Sequence, residues 1–231
     1  MPIANFRCPD KQTTTITVCL AECRMGKRCM TLPTLRQIAE ERPWTGKPST
    51  TQLLNGTMLS YLLLTVPYTV DPQDEAFRLL GTEYHTEAAK RLDDSQVAEK
   101  LLGKDITGHA DLIELEKDGS GVVVTDYKTW GSYRVARALG IVKLMPRVFA
   151  RRPEQADMLD VELQLNNYRI MLEDAGFTVL KMQLQIVVRD GGLMAAVQRG
   201  VQQNIYLEEV KRLDNVEVRS YFIRKAAELL I

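Results

Sequence analysis

The chain lacks an excess of charge of either sign: thirty basic residues offset thirty acidic ones across its 231 residues. A polyanionic partner therefore has to be met by a local patch, because the overall field is close to neutral. Long apolar runs are missing as well. The most apolar stretch, Met58-Leu59-Ser60-Tyr61-Leu62-Leu63-Leu64, is far too short to cross a bilayer, and the N-terminus has no basic region followed by an apolar one. These absences lead us to expect a soluble, cytoplasmic protein with no membrane partner. The absence of a G-x-x-x-x-G-K-[ST] loop excludes a P-loop helicase motor from the sequence, and there is neither an internal repeat nor a low-complexity linker. No cysteine follows Cys29, so the four that exist crowd into positions 8–29. Cytoplasmic thiols stay reduced, and such crowding needs an explanation other than disulfides.

What is present is apolar enough, at 45%, for one large domain or a medium domain with a small appendage. The patterning divides it into a cysteine-containing element over residues 1–48 and a main domain over 49–231. In the first part, a strand over 13–18 follows the stretch Phe6-Arg7-Cys8-Pro9-Asp10, and a short cysteine-bearing helix or loop comes next. A helix over 34–41 is closed by a proline- and glycine-bearing turn, and Ser49 or Thr50 caps another. Further on, Phe77, Leu80, Tyr84, Ala88 and Leu92 recur on one side of a long helix, with His85 beside the stripe. Two strands, "DITGHADLIELE" and "GVVVTDYKT", are joined by a turn at 117–121 suited to positive φ. A helical region over 133–150, broken near Pro146, precedes a strongly periodic helix ending at Gly176. An alternating strand, "TVLKMQLQIVV", and a last helix over 204–230 complete an α/β or α+β order.

Three valines at 122–124 lead into Asp126-Tyr127-Lys128. Charges are costly to bury alone, so a strand ending this way sets them at an opening or against a ligand. Alternation turns Asp126 and Lys128 to one face, and a hairpin about residues 118–121 brings Asp111 of the preceding strand close to Asp126. Paired carboxylates keep their charge most readily around a divalent cation; their oxygens suit Mg²⁺ or Mn²⁺, and an imidazole such as His85 favours Mn²⁺. An ammonium beside such a site orients water and offsets charge growing on a phosphoryl oxygen.

Gly108-His109-Ala110-Asp111 followed by Asp126-Tyr127-Lys128-Thr129 resembles the paired motifs of the PD-(D/E)XK nuclease superfamily. Gly81-Thr82-Glu83-Tyr84-His85 is similar to the histidine motif of its RecB-like branch, and Gln164-Leu165-Asn166-Asn167-Tyr168 to that branch's Gln-x-x-x-Tyr motif. The resemblance spans about residues 75–190 and implies a restriction-endonuclease-like core, a central mixed sheet flanked by helices. It further implies that His85, Asp111, Asp126 and the Tyr127 backbone carbonyl hold the metal, that Lys128 is the catalytic lysine, and that Gln164 and Tyr168 contact DNA or brace the site. The implied activity is metal-dependent DNA cleavage, often exonucleolytic in such enzymes, on single-stranded or end-containing DNA. The chain would act alone or beside separate recombination, repair, phage or CRISPR proteins. A catalytically silent nucleic-acid-binding or assembly protein on the same scaffold, and a restriction-type endonuclease, are the alternatives.

Structural roles compete for the same residues: Asp111 paired with an arginine, Lys128 a solvated strand end, Gln164 and Tyr168 boundary residues. Trp130, Arg134 and Arg137 follow the catalytic strand, where they would stack on bases, grip phosphates or pack internally. Lys143, Arg147, Arg151 and Arg152 form a basic cluster that would track a nucleic-acid backbone or merely be solvated. Cys8, Cys19, Cys23 and Cys29 have the number of ligands for a tetrathiolate site holding Zn²⁺ or a [4Fe–4S] cluster, against the alternative of buried free thiols. Several RecB-like nucleases carry such a cluster, with one cysteine before the nuclease core and three after it. Here all four precede it.

Overall fold

A computed structural model describes residues 3–40 and 44–229. In chain order the elements are β1 (Ile3–Arg7), β2 (Thr13–Thr15), α1 (Ile16–Ala21), α2 (Leu32–Ala39), α3 (Thr50–Leu54), α4 (Thr57–Thr65), β3 (Tyr68–Val70), α5 (Pro72–Ala89), β4 (Gln96–Leu102), β5 (Gly108–Leu115) and β6 (Val122–Trp130). Then come α6 (Ser132–Ala138), β7 (Ile141–Met145), β8 (Val148–Arg151), α7 (Leu159–Asp174), β9 (Val179–Val188), α8 (Met194–Val197), β10 (Ile205–Glu209) and α9 (Asn215–Leu229). The fold is α+β, with a central mixed sheet of order β10-β9-β6-β5-β4 flanked by helices. Only the β6–β9 pairing in it is parallel; β4–β5, β5–β6 and β9–β10 are antiparallel.

β6 is the middle strand, and residues 122–126 are all buried, as a valine run covered on both faces should be. β9 alternates, sending Met182, Leu184, Ile186 and Val188 into the core against Leu165, Tyr168 and Leu172 of α7. α7 is itself covered on its far side, where Ile170 joins Leu53 of α3 and Val218 and Phe222 of α9 in a second apolar cluster. Enclosure on both sides buries its polar residues too, and each finds partners. Asn166 Oδ1 accepts from Leu213 N and Arg169 Nε, while Arg169 Nη1 reaches Glu173. α5 lies against β4, β5 and β6.

The N-terminal strands form a separate three-stranded sheet, β2-β1-β3, whose third strand comes from residues 68–70. Phe6, Cys19, Leu35 and Ile38 are its small core, with Val70 and Leu79 packed against them. Among the described residues no helix is long and apolar enough to cross a membrane.

Several local expectations change. The strand expected over 13–18 stops at Thr15, whose hydroxyl accepts from Val18 N and starts α1 instead. The helix expected over 133–150 ends at Ala138; Gly140, at φ +61°, turns the chain into the β7–β8 hairpin, and Arg147 takes φ +64° at its tip. The first residues of the expected last helix are β10 on the sheet edge, and α9 begins only after Asp214, whose carboxylate caps Val216 N and Glu217 N. Phe77 and Leu80, expected on the buried stripe of α5, are more than half exposed. The expected helix ends at Glu41 and Leu230 lie outside the described residues.

Ser49 begins α3 with a capping box: its hydroxyl accepts from Gln52 N, and Gln52 Oε1 accepts from Ser49 N. Ser49→Ala is expected to cost about 1 kcal/mol, seen as a lower urea midpoint at unchanged slope.

Candidate active site

β5 and β6 pair from Leu115↔Val122 to Leu112↔Thr125 and then part. Beyond that point β5 stays bonded to β4 as far as Gly108, and β6 to β9 as far as Trp130. A gap opens in the sheet, and the charged residues occupy it. Carried one step further, the register sets Asp111 opposite Asp126. In place of a ladder bond, Tyr127 N donates to Asp111 Oδ2 at 2.7 Å. The N–H and C=O of a strand residue leave on the same side, so the Tyr127 carbonyl is turned toward the gap as well.

The sequence-derived site residues assemble here. His85 Nδ1 lies 3.3 Å from Asp111 Oδ1, and Lys128 Nζ lies 2.5 Å from Asp126 Oδ2. Gln164 links the second pair to the helix behind it: its Nε2 donates to Asp126 Oδ1 at 2.9 Å, and its Oε1 accepts from Lys128 Nζ at 3.2 Å. The same amide reaches the Tyr168 hydroxyl at 3.0 Å, one helical turn along. Asp126 is 1% exposed and Asp111 9%. Burial pushes the Asp126 carboxyl up to about 6; Lys128 pulls it down, and Asp111 raises it further. Burial also works against the Lys128 ammonium, but the Asp126 charge in contact with it outweighs that and holds the amine above its usual range. The Tyr168 phenol is raised, chiefly by burial.

Two glycines that sequence reasoning left without a role set the geometry. A Cβ on Gly81 would lie 3.1 Å from Thr129 Oγ1, so α5 runs close against β6 one turn before His85. At Gly108 a Cβ would stand 2.4 Å from Tyr168 Cε1, which makes that backbone the seat of the tyrosine ring. Both positions stand at the head of motifs already noted, but the close approaches depend on tertiary neighbours. Thr50 completes the support: it is fully buried, donates to Thr107 O, and accepts from Asn167 Nδ2. The rings of Tyr84, His85 and Tyr127 meet edge to face at 5.6–6.5 Å.

Other candidates fall elsewhere. Arg134 stacks over Trp130 at 4.6 Å, and its guanidinium is held by Asp157 and Asp160, so it is engaged within the protein. Arg137 pairs with Asp157, Arg151 with Glu208, and Arg152 approaches Glu154. Arg189, which sequence reasoning did not single out, is exposed and lies 4.3 Å over the Phe77 ring, with no acidic partner among the described residues. The four cysteines are free thiols lining one cavity in the N-terminal unit.

As the side chains lie, no three His, Cys, Asp or Glu residues among those described are gathered as ligands of one metal ion. The donors of the gap stand instead as two contacting pairs. Their chemistry nonetheless fits a divalent cation. Asp126 Oδ2 is buried and has the contact with Lys128 but no well-formed hydrogen bond, and the ammonium already touches Gln164 Oε1, an acceptor toward which it can withdraw.

A scan of protein-family models and a search of curated proteins find no match. Among solved structures the chain is similar to that of SSO0001, at 14% identity over 84% of this chain and 81% of the other, with a TM-score of 0.46. That likeness is too slight to bear on fold or function.

Gly108→Ala is expected to displace the Tyr168 ring and destabilise the protein by about 1–3 kcal/mol. Urea unfolding followed by tyrosine and tryptophan fluorescence measures it, and unchanged stability would show that the ring is not seated there.

Proposed function

We propose that the chain is a metal-dependent deoxyribonuclease of the RecB-like branch of the PD-(D/E)XK superfamily, hydrolysing phosphodiester bonds from DNA ends. The observation that supports this most is the convergence of Asp111, Asp126, Lys128 and Gln164 in one gap of the central sheet, with His85 reaching it from α5. Asp111, Asp126, His85 and the Tyr127 carbonyl would hold a divalent cation. When bound, it supplies Lewis acidity, lowering the pKa of water and stabilising charge on the phosphoryl oxygen.

The chain's own groups do the rest. Lys128, kept protonated beside Asp126, offers a fixed positive charge where negative charge grows, and it donates hydrogen bonds that orient an attacking water. Gln164 holds both members of that pair at a fixed separation, so little reorganisation is needed as charge develops. His85 steadies Asp111 through the 3.3 Å contact. The water oxygen bonds to phosphorus and gives up one proton to solvent, the bond to the leaving deoxyribose oxygen breaks, and that oxygen takes up a proton from solvent and leaves as a hydroxyl.

Labelled single-stranded, linear duplex and closed circular DNA, each with Mg²⁺, Mn²⁺ or chelator, test the reading. Linear substrates are expected to be degraded with metal and spared with chelator. Asp126→Asn and Lys128→Ala should each lower the rate at least about a hundredfold without altering the circular-dichroism spectrum. Undiminished cleavage in both variants would overturn the assignment, and cutting of closed circles would replace exonuclease by endonuclease action.

The substrate also needs a grip outside the gap. Arg189 suits that role: it has no acidic partner among the described residues, it is pre-oriented on Phe77, and its backbone N–H bonds Trp130 O at the end of β6. Arg189→Ala is expected to weaken DNA binding and to reduce the salt dependence by about one phosphate contact. A salt titration of affinity measures this, and an unchanged slope would remove Arg189 from the interface.

A further inference from the structure

Between Asp126 and Glu154 the sequence holds seven lysines and arginines and no acidic residue. In a chain whose charges otherwise balance, this is the local basic patch that a polyanion needs. The fold does not leave all of it free. Lys128, Arg134, Arg137, Arg151 and Arg152 each have an acid set against them. The other two cations, Lys143 and Arg147, belong to the β7–β8 hairpin and have no acidic partner among the described residues.

The residues between these two cations are apolar and face water. Leu144 is 50% exposed and Met145 61%, and Pro146 is exposed as well. Consecutive exposed apolar residues are disfavoured unless a function keeps them there. Two irregularities shape this tip. Lys143 pairs with Phe149 and Met145 with Val148, so Leu144 is an extra residue, a bulge that re-aims its side chain. Arg147 follows Pro146 at φ +64°, a left-handed conformation that suits glycine better than arginine.

The base of the hairpin, by contrast, is fixed. Ile141 packs on the core of the main sheet, a Cβ on Gly200 would lie 2.5 Å from the Phe149 ring, and Arg151 Nε donates to Leu139 O. β7 rises about 13 Å from Ile141 to Met145, so an anchored stem carries the apolar tip outward. The hairpin also joins two elements that border the gap. α6 follows β6 directly, and its Arg134 pairs with Asp160 at the start of α7, whose charge is felt by Lys128.

We propose that the β7–β8 hairpin is a wedge that opens the end of a DNA duplex, with Leu144, Met145 and Pro146 stacking on the terminal base pairs and Lys143 and Arg147 meeting the phosphates on either side. The order of chemistry matches a duplex in cross-section: cation, apolar and cation on the hairpin, phosphate, bases and phosphate on the DNA. Apolar side chains of this kind unstack base steps, and the flanking cations replace counterions condensed on the backbone. The proposal rests on the nuclease reading for its substrate and narrows that substrate to duplex ends, one strand of which is freed to enter the gap.

A blunt duplex carrying 2-aminopurine in its terminal pair, mixed with excess protein in chelator, tests opening without cleavage, because this base brightens as it unstacks. Wild-type protein is expected to raise the fluorescence. The double variant Leu144→Ser, Met145→Ser, altered only at exposed side chains, is expected to lose most of the rise. No rise with the wild type overturns the wedge, and a full rise with the double variant overturns the part given to these residues. Lys143→Gln with Arg147→Gln is expected to lower the salt dependence of duplex binding by about two phosphate contacts; an unchanged slope overturns their part. With Mg²⁺, the double variant at the tip is expected to digest blunt ends at least about tenfold more slowly than wild type and to recover on forked ends, which are already open. An equal loss on both overturns the wedge. So does sedimentation without DNA in which the wild type is a dimer and the tip variant a monomer, since a second copy then covers the tip. The two readings fail separately: fluorescence that rises while no DNA is cut removes the nuclease and keeps the wedge, and cleavage without the rise does the reverse.

Discussion

The site depends on the parting of β5 from β6 beyond Leu112 and Thr125. A central sheet rarely leaves backbone groups unpaired, because a buried N–H without an acceptor is costly. Here the neighbouring strand withdraws, and its own Asp111 side chain accepts the Tyr127 N–H that the ladder no longer serves. The substitution brings a carboxylate into the middle of the sheet, across from a second one on β6. Chain polarity and register thus generate a paired acidic site from two strands that are otherwise ordinary.

Two acids at that depth would not both stay charged without help. The ammonium of Lys128 lies against Asp126, and the amide of Gln164 touches both, so the pair is held by a named neighbour. Such networks contribute little net stability, since desolvation offsets most of the attraction. Their value is positional. Gln164 in turn depends on α7 being enclosed on two sides, which is also why Asn166, Asn167 and Arg169 are buried on the same helix and fully engaged. The elevated Asp126 carboxyl reflects the cost of burying its charge.

Residues whose neighbours are set by local periodicity were legible in the sequence. The valine run of β6, the two-residue spacing of Asp126 and Lys128, the glycine-bearing hairpin turn and the four-residue spacing of Gln164 and Tyr168 each fix a face without reference to the rest of the chain. What escaped was decided at a distance. β10 reads as part of a helix because its edge position, paired only with β9, leaves its apolar residues exposed and its alternation unremarkable. The β7–β8 hairpin lay behind a proline and an arginine at positive φ, neither of which resembles the usual glycine signal. Arg134 looked like a ligand for phosphate until Asp157 and Asp160, twenty-odd residues away, were seen to hold it. The roles of Gly81 and Gly108 likewise exist only relative to Thr129 and Tyr168.

The N-terminal unit is joined to the site by more than proximity in the chain. Its sheet takes β3 as a parallel partner of β1, and β3 runs through Asp71, whose carboxylate caps Gln73 N, directly into α5. Leu79 of that helix packs into the small N-terminal core, and Arg78 donates to Ile38 O at the end of α2. The first half of α5 is therefore anchored to the cysteine-bearing unit, while the second half is pressed onto β6 at Gly81 and delivers His85 to Asp111. A helix transmits displacement along its axis because its backbone bonds are continuous, and Leu79 and His85 are only about 9 Å apart along it. The small N-terminal core and the placement of the imidazole thus meet on one helix.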